Sequence, residues 1–191
     1  MDNTTRKFIQ HYGVTKDPET GEFMTVIQYA NDGSLKDFLS KYNRIKHDWQ
    51  WKLNIFHYLA QDLSTIHNAG LAHQDVRDEN VYIRDNWAYI GQLYWSVSKE
   101  EIGEYEFKKR KAYDIYGFGE VMRQIAADSY HFVRPDEIKD IPSPVLKLIK
   151  SCLDIDFRKR PDINKILYIL EKLCGNPQHN QFESVSLYQI T

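Results

Sequence analysis

Apolar residues recur along the chain with two distinct periods. From Trp49 to about Ala69, Leu53, Phe56, Leu59, Leu63 and Ile66 return at three- and four-residue steps, which puts them on one buried stripe of a helix of about five turns. Asp48 stands where a side-chain oxygen caps the first turn, and Gly70 closes the last. The same period predicts helices from Ala112, with Ile115, Phe118, Met122 and Ile125 on one stripe, from about Pro144 to Leu153, and from Ile163 to Leu173, the last capped by Asp162. A short helix ending near Lys41 is announced by Ser34 and Asp37, which have the form of a capping box.

The strand-like runs are few and short. Phe8 to Thr15 and Phe23 to Tyr29 flank the turn cluster Lys16-Asp17-Pro18-Glu19-Thr20-Gly21, the pattern of an antiparallel hairpin. A second small hairpin is expected from Val81 to Ile83 and Ala88 to Ile90 around Arg84-Asp85-Asn86. The expected fold class is therefore α+β and mainly α, without a large sheet. The tail from Gly175 to Thr191 is polar and aperiodic, and is expected to be loosely ordered or wrapped on the surface. No internal repeat is visible.

Composition narrows the functional classes. At 191 residues and 42% hydrophobic side chains, the chain holds one ordinary domain with a sizeable core. A net charge of -2 supplies no overall basic excess for nucleic acid or anionic membrane surfaces, so neither is expected as a partner. Cys152 and Cys174 have no paired spacing of a disulfide framework or zinc site, which fits a reducing cytosol. The N-terminus lacks an apolar signal core and no stretch is long enough to span a bilayer, so a cytoplasmic protein is expected.

Between the long helix and the small hairpin lies His73-Gln74-Asp75-Val76-Arg77-Asp78-Glu79-Asn80, which resembles the protein kinase catalytic loop His-Arg-Asp-x-x-x-x-Asn. Taken singly, this motif is weak. Three others stand in family order around it: Met24 to Leu35 resembles the fifth strand, hinge and following helix start; Asp114-Ile115-Tyr116-Gly117-Phe118-Gly119 resembles the start of the large buried helix; and Cys152 to Pro161 resembles the signature near the end of the lobe. The chain thus resembles the C-terminal lobe of a eukaryotic protein kinase of serine/threonine type with a tyrosine-kinase-like flavour. The resemblance covers roughly residues 6 to 174. It implies a remnant of the N-terminal lobe in residues 1-30, a kinase-like C-terminal lobe in 31-174 and the polar tail in 175-191.

The resemblance also implies roles. Asp75 takes the proton-acceptor position, Arg77 the cationic position beside the transferred phosphate, and Asn80 a weak magnesium-ligand position. Ile27, Tyr29, Ala30, Asn80 and Tyr82 fall where the family binds nucleotide. His73, Asp114 and Arg160 are read as structural, Asp114 as the acceptor of catalytic-loop amides. For Asp75 and Asn80, local backbone hydrogen bonding is the plainer alternative.

The departures bear on activity. The glycine-rich loop, the third-strand lysine and its glutamate partner do not occur within these residues and are expected to be missing, and Gln92-Leu93-Tyr94 stands where the family has Asp-Phe-Gly, so the resemblance puts Gln92 at the position of the main metal ligand. A neutral amide is a poorer magnesium ligand than a carboxylate. Gln74 replaces the catalytic-loop arginine, so an activation-segment phosphate would find no partner there. The segment from Gln92 to Asp114 is short, with Glu106 the nearest candidate for the carboxylate that pairs with Arg160. Lys108-Lys109-Arg110-Lys111 is read as a solvated loop, and Tyr82 is expected to crowd a purine. ATP and magnesium are implied by the family and expected to bind weakly or not at all. The expected function is a catalytically impaired pseudokinase in signalling that binds another protein, such as a kinase or a kinase substrate. The alternatives are an active serine/threonine-type kinase and a gene fragment without independent function.

Overall fold

The computed structural model describes residues 9-42 and 45-175. It is mainly helical, with three separate two-stranded antiparallel sheets, and so has the expected fold class. Strands β1 (His11–Lys16) and β2 (Phe23–Ile27) form the first hairpin. Its turn is built by Asp17, whose Oδ1 accepts from the amides of Glu19 at 2.7 Å and Thr20 at 3.1 Å. Phe8, expected to open the first strand, lies outside the described residues, as does the tail beyond residue 175.

Helices α1 (Leu35–Lys41) and α2 (Trp49–Asn68) begin where their capping residues predict. Ser34 Oγ accepts from Asp37 N while Asp37 Oδ2 accepts from Ser34 N, and Asp48 Oδ1 accepts from Trp51 N at 2.7 Å. The two-residue strand β3 (Leu71–Ala72) follows α2. Strands β4 (Val81–Arg84) and β5 (Trp87–Ile90) then close over Asp85 and Asn86, both at positive φ, as a two-residue hairpin turn requires.

Two features differ from the sequence reading. Strand β6 (Val97–Ser98) pairs with β3, a third sheet too short to leave a pattern. The next helix, α3 (Lys99–Ala127), starts well before Ala112. Its first turn carries a capping box between Ser98 and Glu101, and at Gly103 the backbone reaches φ 78° before helical geometry resumes. A side chain there would be strained. The basic residues 108-111 thus lie on a helix, not in a loop. The charged face of residues 99-111 hides this from hydrophobic periodicity, because only Phe107 of those residues is buried.

Helices α4 (Ser143–Cys152) and α5 (Ile163–Cys174) complete the lobe. The core lies where α2 meets α5, α3 and β5, and where α3 meets α4, with Phe56, Leu59, Leu63, Phe118, Met122, Ile149 and Leu170 sealed from solvent. Each such side chain contributes roughly 1.5–3 kcal/mol of burial. At the join of α2 and α3, buried Lys52 donates to the carbonyl of Ala126 at 2.9 Å and to Asp128 Oδ2 at 2.5 Å, while His47 Nδ1 lies 2.9 Å from Asp128 Oδ1. Both cysteines are free and buried, and burial pushes the Cys152 thiol up to about 12.

Candidate functional site

The loop from His73 to Asn80 is suspended from α3 by one carboxylate. Asp114 is buried; its Oδ2 accepts from His73 N at 2.8 Å and from His67 Nε2 at 2.8 Å, and its Oδ1 accepts from Gln74 N at 2.6 Å. The loop sits close to the helix because Gly117 has no side chain: a Cβ there would stand 2.3 Å from the carbonyl oxygen of Val76.

His73 is buried and ties the loop to β5. Its Nε2 lies 2.7 Å from the carbonyl oxygen of Gly91, and its Nδ1 lies 3.1 Å from the amide of Asp75. A carbonyl only accepts and an amide only donates, so the ring is neutral with its proton on Nε2. This is a structural arrangement, with no ring nitrogen left for chemistry.

Asp75, Arg77 and Asn80 are brought together. Asn80 Nδ2 donates to Asp75 Oδ2 at 2.7 Å and to the Asp75 carbonyl at 2.9 Å, and the Asn80 carbonyl accepts from Gly91 N at 2.9 Å. Arg77 Nε lies 3.3 Å from Asp75 Oδ1 and 3.3 Å from Glu79 Oε2, and Glu79 also accepts from Lys36. The Asp75 carboxylate is partly exposed, beside a shallow opening lined by Gln74, Arg77 and Trp95.

The positions assigned to nucleotide lie around β2 and β4. Ile27 and Ala30 are half-buried, whereas Tyr29 is 82% exposed. The segment after Ala30 runs against β4, with Ile83 N donating to the Gly33 carbonyl and Ser34 bridged to Tyr82. The Tyr82 ring packs directly on the Gly91 backbone, its Cε2 only 2.6 Å from where a Cβ of Gly91 would stand. Tyr82 Oη accepts from Gln92 Nε2 at 3.2 Å. Gln92, at φ 63°, therefore points its amide across the hairpin floor.

Arg160 is not part of this cluster. It donates to the carbonyls of Asp154 and Ala112, both at 2.8 Å. Glu106, the expected partner, instead accepts from Arg110 Nε at 2.8 Å. The reason is local: Glu106 and Arg110 are four apart on one helix, the spacing at which such pairs meet.

A residue the sequence reading missed is Arg110. Its Nη1 donates to Gln74 Oε1 at 2.9 Å, and Gln74 Nε2 donates to the carbonyl of Trp95 at 2.6 Å. The Glu106/Arg110 spacing was the available signal, usable only once α3 is known to begin early.

A helical lobe preceded by a β-hairpin, a loop of the form His-x-Asp-x-x-x-x-Asn hung from a buried helix aspartate, and a small hairpin after it define a protein kinase-like fold. Residues 1-99 match the family model described as protein tyrosine and serine/threonine kinase, and the chain belongs to that family. It is similar to the dual specificity testis-specific protein kinase 2 of Rattus norvegicus, with 22% identity over 204 residues, 85% of this chain and 35% of that protein. It is also similar to the serine/threonine/tyrosine-protein kinase HT1 of Arabidopsis thaliana, with 23% identity over 197 residues, 86% of this chain and 50% of that protein. A candidate serine/threonine-protein kinase/receptor of Acanthamoeba polyphaga mimivirus is 25% identical over 182 residues, 78% of this chain and 11% of that protein. The chain thus spans half or less of these relatives' own length. Among the described residues, no helix is long and apolar enough to cross a membrane.

Proposed function

We propose that this chain is a pseudokinase module: a kinase lobe that keeps the catalytic loop as a structural element, transfers phosphate poorly or not at all, and acts in signalling by binding another protein, such as a kinase or a kinase substrate. The observation that carries the reading is Gln92. At the family's metal-ligand position it offers a neutral amide, and that amide donates to Tyr82 Oη. The donor set does not fit a magnesium-phosphate complex. The remaining carboxylate nearby, Asp75, is already engaged by Asn80 Nδ2 and by Arg77, and magnesium favours hard anionic oxygens in near-octahedral order. Tyr82 pressed on Gly91 also fills the floor where a purine would lie.

One observation favours a second reading, an active serine/threonine-type kinase. Asp75, Arg77 and Asn80 stand together in an ordered cluster, the grouping that phosphoryl transfer needs for proton acceptance and charge stabilisation. The two readings separate in a melting experiment with millimolar magnesium-ATP and a transfer assay on a generic protein substrate. Binding to the folded state raises the melting temperature. The proposal expects no shift, no transfer above buffer, and no rescue by Gln92→Asp. A transfer rate above buffer that Asp75→Ala abolishes would establish the active kinase instead.

A further inference from the structure

Between α3, the end of α2 and the turn into α5 lies a cavity of about 360 Å³ that the kinase reading leaves without a role. Its walls are partly apolar, from Ala112, Ile115, Phe157, Pro161 and Ile163. Four cations line it, Lys108, Lys111, Arg158 and Arg160, against two carboxylates, Glu104 and Asp162.

Half of these charges are already committed. Asp162 caps α5 through Lys165 N at 2.9 Å. Arg158 is closed on Asp156 by two bonds of 2.8 and 2.9 Å. Glu104 accepts from Lys99 at 2.6 Å and lies within electrostatic reach of Lys108 and Lys111. Among the described residues, Lys108, Lys111 and Arg160 have no carboxylate at ion-pair distance. Lys111 instead lies over the Phe107 ring, 4.9 Å from its centroid.

Arg160 is the best ordered of the three. Two carbonyls hold Nε and Nη1, and the guanidinium lies 4.8 Å over the Tyr116 ring. Its Nη2 has no acceptor among the described residues. Since Glu106 is held by Arg110, no carboxylate of α3 completes this arginine. A guanidinium fixed by two carbonyls with Nη2 still open, beside the Lys108 and Lys111 ammonium groups, favours a dianion over a single carboxylate, and the apolar walls favour an anion carried on an apolar stem.

We infer that this cavity binds a phosphate monoester on an aromatic or aliphatic stem, the phosphate meeting Lys108, Lys111 and Arg160. The stem lies against Ile115, Phe157 and Ile163. Such a group has two sources, a free organic phosphate or a phosphorylated side chain of a protein, and the test separates them.

Binding is measured by calorimetry on the full chain with phenyl phosphate, a phosphotyrosyl peptide and inorganic phosphate. Phenyl phosphate is expected to bind saturably and about tenfold more tightly than inorganic phosphate. The double variant Lys108→Glu/Lys111→Glu is expected to weaken it by at least about tenfold, with an unchanged melting curve as the control for folding. Arg160→Lys, which keeps the charge and loses the carbonyl-fixed guanidinium with its open Nη2, should also weaken it. A peptide that binds more tightly than phenyl phosphate assigns the site to a protein partner, and equal affinities assign it to a small molecule. The inference is overturned if neither ester binds saturably, if the double variant binds like the unsubstituted chain, or if inorganic phosphate binds as tightly as phenyl phosphate.

Discussion

Replacing Asp114 with alanine should destabilise the protein more than replacing Asp75, although the resemblance in sequence assigns Asp75 the proton-acceptor position. Asp114 is sealed from solvent and satisfies three donors, the amides of His73 and Gln74 and the ring of His67. Truncation leaves all three in a dry site. A stranded buried donor costs about 1–3 kcal/mol, and local relaxation recovers part of that. Asp75 is partly exposed, and its carboxylate holds Asn80 Nδ2 and the exposed Arg77, a loss of about 1 kcal/mol. The expected gap is therefore about 1–3 kcal/mol. For a chain of this size, a gap of about 2 kcal/mol appears as roughly 4–8 °C in melting temperature. Urea titration of both variants, read at constant slope, measures it directly. Asp114→Asn should fall between the unsubstituted chain and Asp114→Ala, because one oxygen can still serve His67 and His73 while the new amide faces the Gln74 N–H. Coincident midpoints for Asp114→Ala and Asp75→Ala would refute the argument.

Two further expectations concern the core. Burial pushes the Asp128 carboxyl up, but hydrogen bonds from His47 and Lys52 more than offset this and hold it below its ordinary 3.8. Its stabilising effect is therefore fully present above about pH 4 and lost as pH falls through the lower folded value. Asp128→Asn, which tolerates the left-handed φ of 49° at this position, leaves buried Lys52 without its counter-charge and should cost about 3 kcal/mol near neutrality. That deficit should shrink in melts below pH 3.8, and a constant deficit down to pH 2 would contradict the assignment. Gly117→Ala would put a Cβ 2.3 Å from the Val76 carbonyl oxygen, so helix and loop must part at a cost of about 1–3 kcal/mol. Hydrogen exchange should quicken at His73 and Gln74, whose amides bond to Asp114; unchanged exchange with an unchanged melt would count against that close approach.

What the sequence made legible is what local chemistry writes locally. Asp48, Asp162 and the Ser34/Asp37 pair mark helix starts because an N-terminal amide needs an acceptor within three residues. The Asp85-Asn86 turn is similarly local. The beginning of α3 was not legible, because residues 99-111 present charge on most faces and bury only Phe107. Strands β3 and β6, two residues each, are held by the distant pairs Leu71–Ser98 and Ala72–Val97 and carry no period of their own. In the site, the hold of Asp114 on the loop was expected from the order of motifs. The contact of Arg110 with Gln74 spans 36 residues and depends on the helix that periodicity missed.

Two glutamines, Gln74 and Gln92, share a backbone feature. Gln74 and Gln92 both lie in the left-handed region, at φ 68° and 63°, where a side chain with a Cβ costs roughly 1–2 kcal/mol. Neither is a glycine, so each conformation has to be held by its surroundings. At Gln74 the hold is the Asp114 carboxylate on its amide N–H, with the side chain bonded to both Arg110 and Trp95. At Gln92 the side chain bonds Tyr82 Oη, while the neighbouring Gly91 is fixed at its carbonyl by His73 and at its N–H by Asn80. Gln74 is thus secured largely by charged partners, Asp114 and Arg110, whereas Gln92 is secured by a contact between neutral groups.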